Sequence, residues 1–434
     1  MARRVVVTGI GVVSPVGNNK TAFLRSLVAG RSNIRTYASL AQLGFRCRIA
    51  SLPDIPETEV SEFTKAYRLV KLKSTGILYG CMAGLEAWTD AGLEVMERQS
   101  RSPYWESGCI FGSSSNGLES IKDGIRLTDL CTPHKMGGRT AQQSMNSGVS
   151  AYLGGIIGLG NQVTTNASEG ATGTEAILEA YHRIRRGQAS RMMAGSSEGS
   201  SHYLRGAYDG LLAGEKTYAL VQDRDYCPET ASCPLSIRAE GAVPGAGGGA
   251  LILEELTAAR KRNAPIYAEV LGGHTNCGAF AEGINFVRHG SVALEECMVA
   301  SLEAASVHPD EVSLVSGHLS GSVNDVEEIG CWAKALGRKG NRFPLLNAPK
   351  AILGHCLTAS GILEAAACVL QLSGSFVHGN PHSRPLHPEI RKWVSAGRIP
   401  LKTRKNVPLE IVAKLSMGMG DINSCVIFKK WKGH

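Results

Sequence analysis

The sequence predicts an α/β protein on three observations: short β-branched runs that end in glycine, segments with helical spacing of apolar residues between them, and a second cycle of the same punctuation in the C-terminal half. Val5 to Val7 opens the chain as a buried strand, read as parallel and turning into a loop at Thr8-Gly9-Ile10-Gly11. Ile77 to Ala91 has apolar residues at helical spacing and stops at Gly92, and Cys109 to Ser113 is a second strand ending in small residues. Val163 to Gly170 then leads through small residues into an amphipathic helix, Ala171 to Arg186, ended by Gly187. After the glycine-rich Gly245 to Gly249, Ala250 to Leu253 reads as a strand, Thr257 to Arg262 as a polar helical connection and Ile266 to Leu271 as a further strand. Ser313 to Ser316 and Ile411 to Leu415 are strands running into Gly317-His318 and Ser416-Met417-Gly418. Two strand-rich halves with parallel punctuation suggest duplication, with the seam at residues 1–255 and 256–434.

At 434 residues the chain is long enough for two core-bearing units. Its 43% hydrophobic and 19% charged content is that of a globular protein, and no long stretch has the composition of a disordered one. The net charge of +8 is dispersed and accompanies no nucleic-acid-binding motif, so nucleic acid is not expected as a partner. Gly, Ser and Pro interrupt the apolar run within Met1 to Gly17 well short of a signal-peptide core or a spanning helix, so no membrane segment is expected. The 12 cysteines form no CxxC pair and no zinc-like spacing with histidine. A reducing, cytoplasmic setting is expected.

The head of the Ala171 to Arg186 helix is where a nucleophile belongs. Unpaired backbone N–H groups and the positive end of the helix dipole lower a thiol pKa and stabilise an oxyanion there. The run Val163-Thr164-Thr165-Asn166-Ala167-Ser168-Glu169-Gly170 resembles the Thr-Ala-Cys-x-x-Gly elbow of β-ketoacyl synthases, members of the thiolase-like superfamily, with Ala167 on the cysteine. Ser168 is a poor substitute, because the next residue points about 100° away and no base adjoins it. The resemblance runs the length of the chain: Arg4 to Gly17 resembles the opening strand, and Pro234 to Glu254 the arginine-then-glycine-rich segment.

Three further motifs follow in order. Gly317-His318-Leu319-Ser320-Gly321-Ser322, with Asp325 and Glu328, resembles the His-Gly-Thr-x-Thr motif; Leu319 replaces a glycine, and Ser320 and Ser322 replace threonines. Asn347 to His355 resembles the lysine and Gly-His segment, giving Lys350 and His355. Ser416 to Asn423 resembles the Gly-Phe-Gly-Gly-Thr-Asn loop, with Met419 at the gating phenylalanine and Asp421 in place of a glycine.

The resemblance implies a thiolase-like five-layered α/β/α/β/α fold, an obligate homodimer or heterodimer with a second ketosynthase-like subunit, and an acyl carrier protein as partner. It assigns His318 and His355 to stabilising the enolate formed from a malonyl thioester and Lys350 to supporting them. Ser320, Ser322, Met419, Asp325 and Glu328 fall to substrate binding, and the backbone N–H groups of Ala167 and Met419 to an oxyanion hole. No metal or cofactor of the chain's own is implied, since the phosphopantetheine arm arrives on the carrier protein. Lys65, Arg68, Lys71 and Lys73 are candidates for steering that acidic partner, or an ordinary solvated face.

Alanine at the nucleophile leaves three readings. The chain is a condensing enzyme of fatty acid or polyketide synthesis whose cysteine was replaced by design, a natural non-elongating partner like a chain-length factor, or a malonyl carrier-protein decarboxylase.

Overall fold

A computed structural model describes residues 3–69, 71–95, 102–212, 227–279 and 289–433. The first two residues of the Met1 to Gly17 run therefore lie outside it. Ten strands form one continuous sheet: β1 (Val5–Val13), β2 (Ser107–Ser113), β3 (Val163–Thr164), β4 (Arg191–Glu198), β5 (Gly247–Glu255), β6 (Ala268–Cys277), β7 (Val312–Ser316), β8 (Leu345–Asn347), β9 (Ile411–Gly418) and β10 (Ile422–Lys430). Their order, β3-β2-β4-β5-β1-β6-β10-β9-β7-β8, traces one topology twice. In each half the first strand runs antiparallel to the fifth and the fifth to the fourth, while the fourth, second and third are parallel. β1 to β5 precede residue 256 and β6 to β10 follow it.

The sheet is joined at Val5–Val7 against Ala268–Val270 and wraps around two central helices, α3 (Thr172–Arg185) and α6 (Ser360–Gly374), each of which touches strands of both halves. Helices α1 (Thr75–Asp90) and α2 (Gly148–Ile157) cover the outside of one half; α4 (Ser291–Ala304) covers the other, with α5 (Asn324–Ala335) packed on it. Five layers result. Enclosure on every side is why α6 is buried from Ser360 to Leu372 and apolar nearly all round. Its stretch Leu357–Gly374 is the one described segment long and apolar enough to cross a membrane, and 89% of it is buried inside the protein.

β1 corrects the reading from sequence in two ways. It continues through the glycines to Val13, with a register shift between Val7 and Gly9, and it is antiparallel to both neighbours. The glycines admit a helix rather than end the strand: a Cβ on Gly9 would stand 2.1 Å from the Ala87 carbonyl, and one on Gly11 1.8 Å from that of Ala83, both on α1. The other expected elements fall within three residues of their observed ends, except the strand expected at Ile266 to Leu271, which runs from Ala268 to Cys277 because it pairs with β10 along its whole length.

Candidate active site

Four segments meet beneath the head of α3: the loop after β7, the Lys350 to His355 turn after β8, the start of α6 and the end of β9. The residue of α3's approach that faces this junction is Gly170, and Ala167 is exposed. A Cβ built on Gly170 would lie 3.1 Å from His318 Cε1 and 3.5 Å from His355 Cε1. The assignment of the nucleophile position to Ala167 is therefore wrong by three residues, and with it go the engineered cysteine-to-alanine reading and the oxyanion-hole role of the Ala167 N–H.

The error has a physical source. Gly170 and Gly173 are three residues apart, and either satisfies the last position of the Thr-Ala-Cys-x-x-Gly pattern. Gly173 is the true closing glycine, since a Cβ there would meet the Ile362 backbone nitrogen at 2.3 Å, where α3 crosses α6. Read that way, Ser168-Glu169-Gly170-Ala171-Thr172-Gly173 fits the elbow, with glycine for cysteine and Glu169 for the preceding alanine. No described thiol takes over: Cys356, beside His355, is buried, its Sγ–H directed at the Leu353 carbonyl, and burial pushes its pKa up to about 12.

Both imidazoles are oriented by main chain. The Met417 N–H donates to His318 Nδ1 at 3.2 Å, and the Leu357 N–H donates to His355 Nδ1 at 3.0 Å. With Nδ1 an acceptor, the neutral ring carries its proton on Nε2, so each histidine offers a donor next to the Cε1 edge that faces Gly170. The ring centroids are 5.2 Å apart. Burial, then the Lys350 charge, holds both imidazoles well below their ordinary pKa and hence neutral at neutral pH. Two neutral donors converging on one place suit a developing enolate oxygen.

Lys350 contacts His318, donating to its carbonyl at 2.7 Å and lying 3.2 Å from its Nδ1. Burial draws the Lys350 pKa below its usual value, against the pull of Glu364 at 2.6 Å. Sequence reasoning missed two members of this cluster, Glu364 on α6 and Lys414 on β9, whose ammonium lies 2.8 Å from the other Glu364 oxygen. All three side chains are essentially inaccessible. The signal was available, because each is a single charge in an otherwise uncharged element and needs a buried partner.

Asp325 and Glu328 are not substrate ligands. Glu328 accepts the His318 and Leu319 N–H groups, each at 2.9 Å, and Asp325 those of Leu235, Ser320 and Gly321. Both carboxyls are buried, and burial raises them to about 7 and about 6. They clamp the loop that presents His318 and hold Leu319 at a φ of 27°. Ser320 and Ser322 share a hydroxyl hydrogen bond of 3.0 Å on the same loop, and Met419 is half-buried just beyond β9. Asp421 has a clear place: at a φ of 62° it accepts the Gly290 N–H at 3.0 Å with its carboxylate and the Gly278 N–H at 2.9 Å with its carbonyl. It thereby anchors two separate backbone stretches beside His289, 3.6 Å from its carboxylate.

An elbow at a helix head facing two donor imidazoles, inside a twice-traced sheet, defines a thioester-condensing type of site. The chain matches the family models for the N-terminal domain of β-ketoacyl synthase over residues 2–259 and for its C-terminal domain over residues 267–384. It is 30% identical over 431 residues to 3-oxoacyl-acyl-carrier-protein synthase 2 of Vibrio cholerae, covering 99% of each chain. It is 28% identical to a putative polyketide β-ketoacyl synthase 1 of Streptomyces halstedii, covering 98% of each. Among solved structures, a type II polyketide synthase carrier protein in complex with its ketosynthase aligns at a TM-score of 0.84, 23% identity and full coverage of both chains. The ishigamide ketosynthase/chain length factor aligns at 0.83 and 22%, covering 99% of this chain and 100% of that one. The chain belongs to the β-ketoacyl synthase family, the condensing acyltransferases of fatty acid and polyketide synthesis.

Gly170→Cys is expected not to restore acylation by itself. The new Cβ would lie 2.4 Å from the Met417 carbonyl, and the Gly170 N–H is already held by the Glu169 carboxyl. Mass spectrometry after incubation with an acyl-pantetheine checks this, and a stoichiometric acyl adduct would refute it.

Proposed function

We propose that this chain decarboxylates the malonyl thioester carried by an acyl carrier protein, without itself becoming acylated. The observation that carries the reading is the pair of neutral, main-chain-oriented imidazoles converging on Gly170. Everything needed to polarise a thioester carbonyl and hold an enolate is present, while the atom needed for acyl transfer is not. Ser320 and Ser322 are the hydroxyls offered to the pantetheine arm, and Met419 stands at the entrance; no metal or cofactor of the chain's own enters this chemistry. Lys71, Lys73, Lys135 and Arg139 line a surface cavity of about 600 Å³, a basic face for an acidic carrier protein, in which Lys73 pairs with Asp123. A cytoplasmic setting accords with twelve free cysteines.

The test is incubation of the purified protein with malonyl-pantetheine. Carbon dioxide and acetyl-pantetheine should appear together, with no covalent adduct on the protein; an intact malonyl thioester after prolonged incubation refutes the reading.

A second reading, a non-elongating partner in a ketosynthase heterodimer, is favoured by the same glycine, which removes the acylation step while leaving the fold whole. Copurification with a cysteine-bearing ketosynthase at equal stoichiometry would establish it, and the two roles are compatible in one subunit.

A further inference from the structure

With glycine in the nucleophile's place, an enolate formed at the imidazoles meets no acyl thioester, and its carbon must take a proton instead. This inference rests on the decarboxylation reading above. The group beside that position is Glu169. It is half-buried and has a φ of 47°, uncommon for a side-chain-bearing residue. That turn brings its carboxyl back onto the N–H of Gly170, whose missing Cβ direction points at both imidazoles. In the elbow pattern this position is an alanine, so an acid has been placed where the family resemblance supplies a methyl group.

We propose that Glu169 is the acid that protonates the enolate carbon, replacing the acyl group that a condensing enzyme would present there. The bond from the malonyl methylene carbon to its carboxylate breaks, carbon dioxide leaves, and the electron pair is held as the enolate under the His318 and His355 donors. A bond then forms between that carbon and the Glu169 carboxyl proton, the enolate oxygen returns to a carbonyl, and the product is the acetyl thioester. Water restores the Glu169 proton.

The surroundings keep such an acid available. Burial raises Glu169 to about 7, Glu198 and Glu364 add to the rise, and Lys350 and the Gly170 hydrogen bond oppose it. Tyr208 lies within electrostatic reach of it, as a neutral phenol whose own pKa is pushed up by burial. The two imidazoles, held neutral, add no opposing charge.

The experiment compares the unsubstituted protein with Glu169→Gln and Glu169→Asp, using malonyl-pantetheine across a pH series. Acetyl-pantetheine formation by the unsubstituted protein should decline as pH rises through about 7, because the required form is the protonated acid. Glu169→Gln should lose about 10²–10⁴-fold, the usual worth of a positioned acid, and its residual rate should lack that decline; Glu169→Asp should recover part of the loss. An unchanged thermal unfolding midpoint in Glu169→Gln separates this from a folding defect. Full activity in Glu169→Gln with the decline intact overturns the proposal alone. No carbon dioxide from the unsubstituted protein overturns the decarboxylation reading as well.

Discussion

Alanine at His318 or at His355 is expected to lower carbon dioxide release from malonyl-pantetheine by about 10²–10³-fold, the loss that follows removal of one pre-aimed donor to a developing oxyanion. Each ring has its Nδ1 committed to a backbone N–H, so neither is placed to act as a base through that atom. Each contributes an Nε2–H donor instead, and the double substitution should cost little more than either single one, because the two act on the same oxygen. The pH dependence follows from the direction of their shifts. Both are held well below the ordinary 6.5, so the active, neutral form persists as pH falls through 6.5, and histidine protonation should begin to cost activity only well beneath that value. Steady-state rates between pH 5 and pH 8, alongside unfolding midpoints, check both points. A His355→Ala protein that decarboxylates at the original rate would sink the assignment.

Glu364→Leu is expected to be the most destabilising single change in the site, at about 3–5 kcal/mol, because it strands two ammonium groups in the interior. Lys350 and Lys414 are both fully buried and share this one carboxylate, at 2.6 Å and 2.8 Å. Lys414→Met should behave quite differently. It removes the surplus cation, leaves a one-to-one pair of Lys350 with Glu364, and so should cost far less than Glu364→Leu. Urea unfolding of the two variants makes the comparison. Equal, small losses would mean that the cluster is more hydrated than its burial indicates. Activity should follow the same order, since Lys350, which touches His318, keeps its partner in Lys414→Met and loses it in Glu364→Leu.

How far the site could be read in advance depends on the kind of constraint each residue answers to. His318, His355 and Lys350 sit in segments whose spacing is fixed by local turns, and the structure brings all three together at the head of α3. Asp325 and Glu328 were found by the same segment but given the wrong task. Their spacing on the first turns of α5 suits either a ligand or a clamp, and only the backbone N–H groups aimed at them decide for the clamp. Ala167 failed for a related reason. A run of small residues holds two glycines at the same interval, and nothing within the run says which of them meets another helix.

The alternation of β-branched runs with helical periodicity, the repeated punctuation after residue 255 and the order of the histidine and lysine motifs belong to the sequence alone, because each is a local pattern of side-chain size and polarity. Which glycine faces the imidazoles, and that Glu364 must neutralise two lysines from distant elements, were decided only by tertiary structure. Those facts depend on where α3 crosses α6 and how closely β9 approaches both, and such distances arise from packing between elements that no local pattern records.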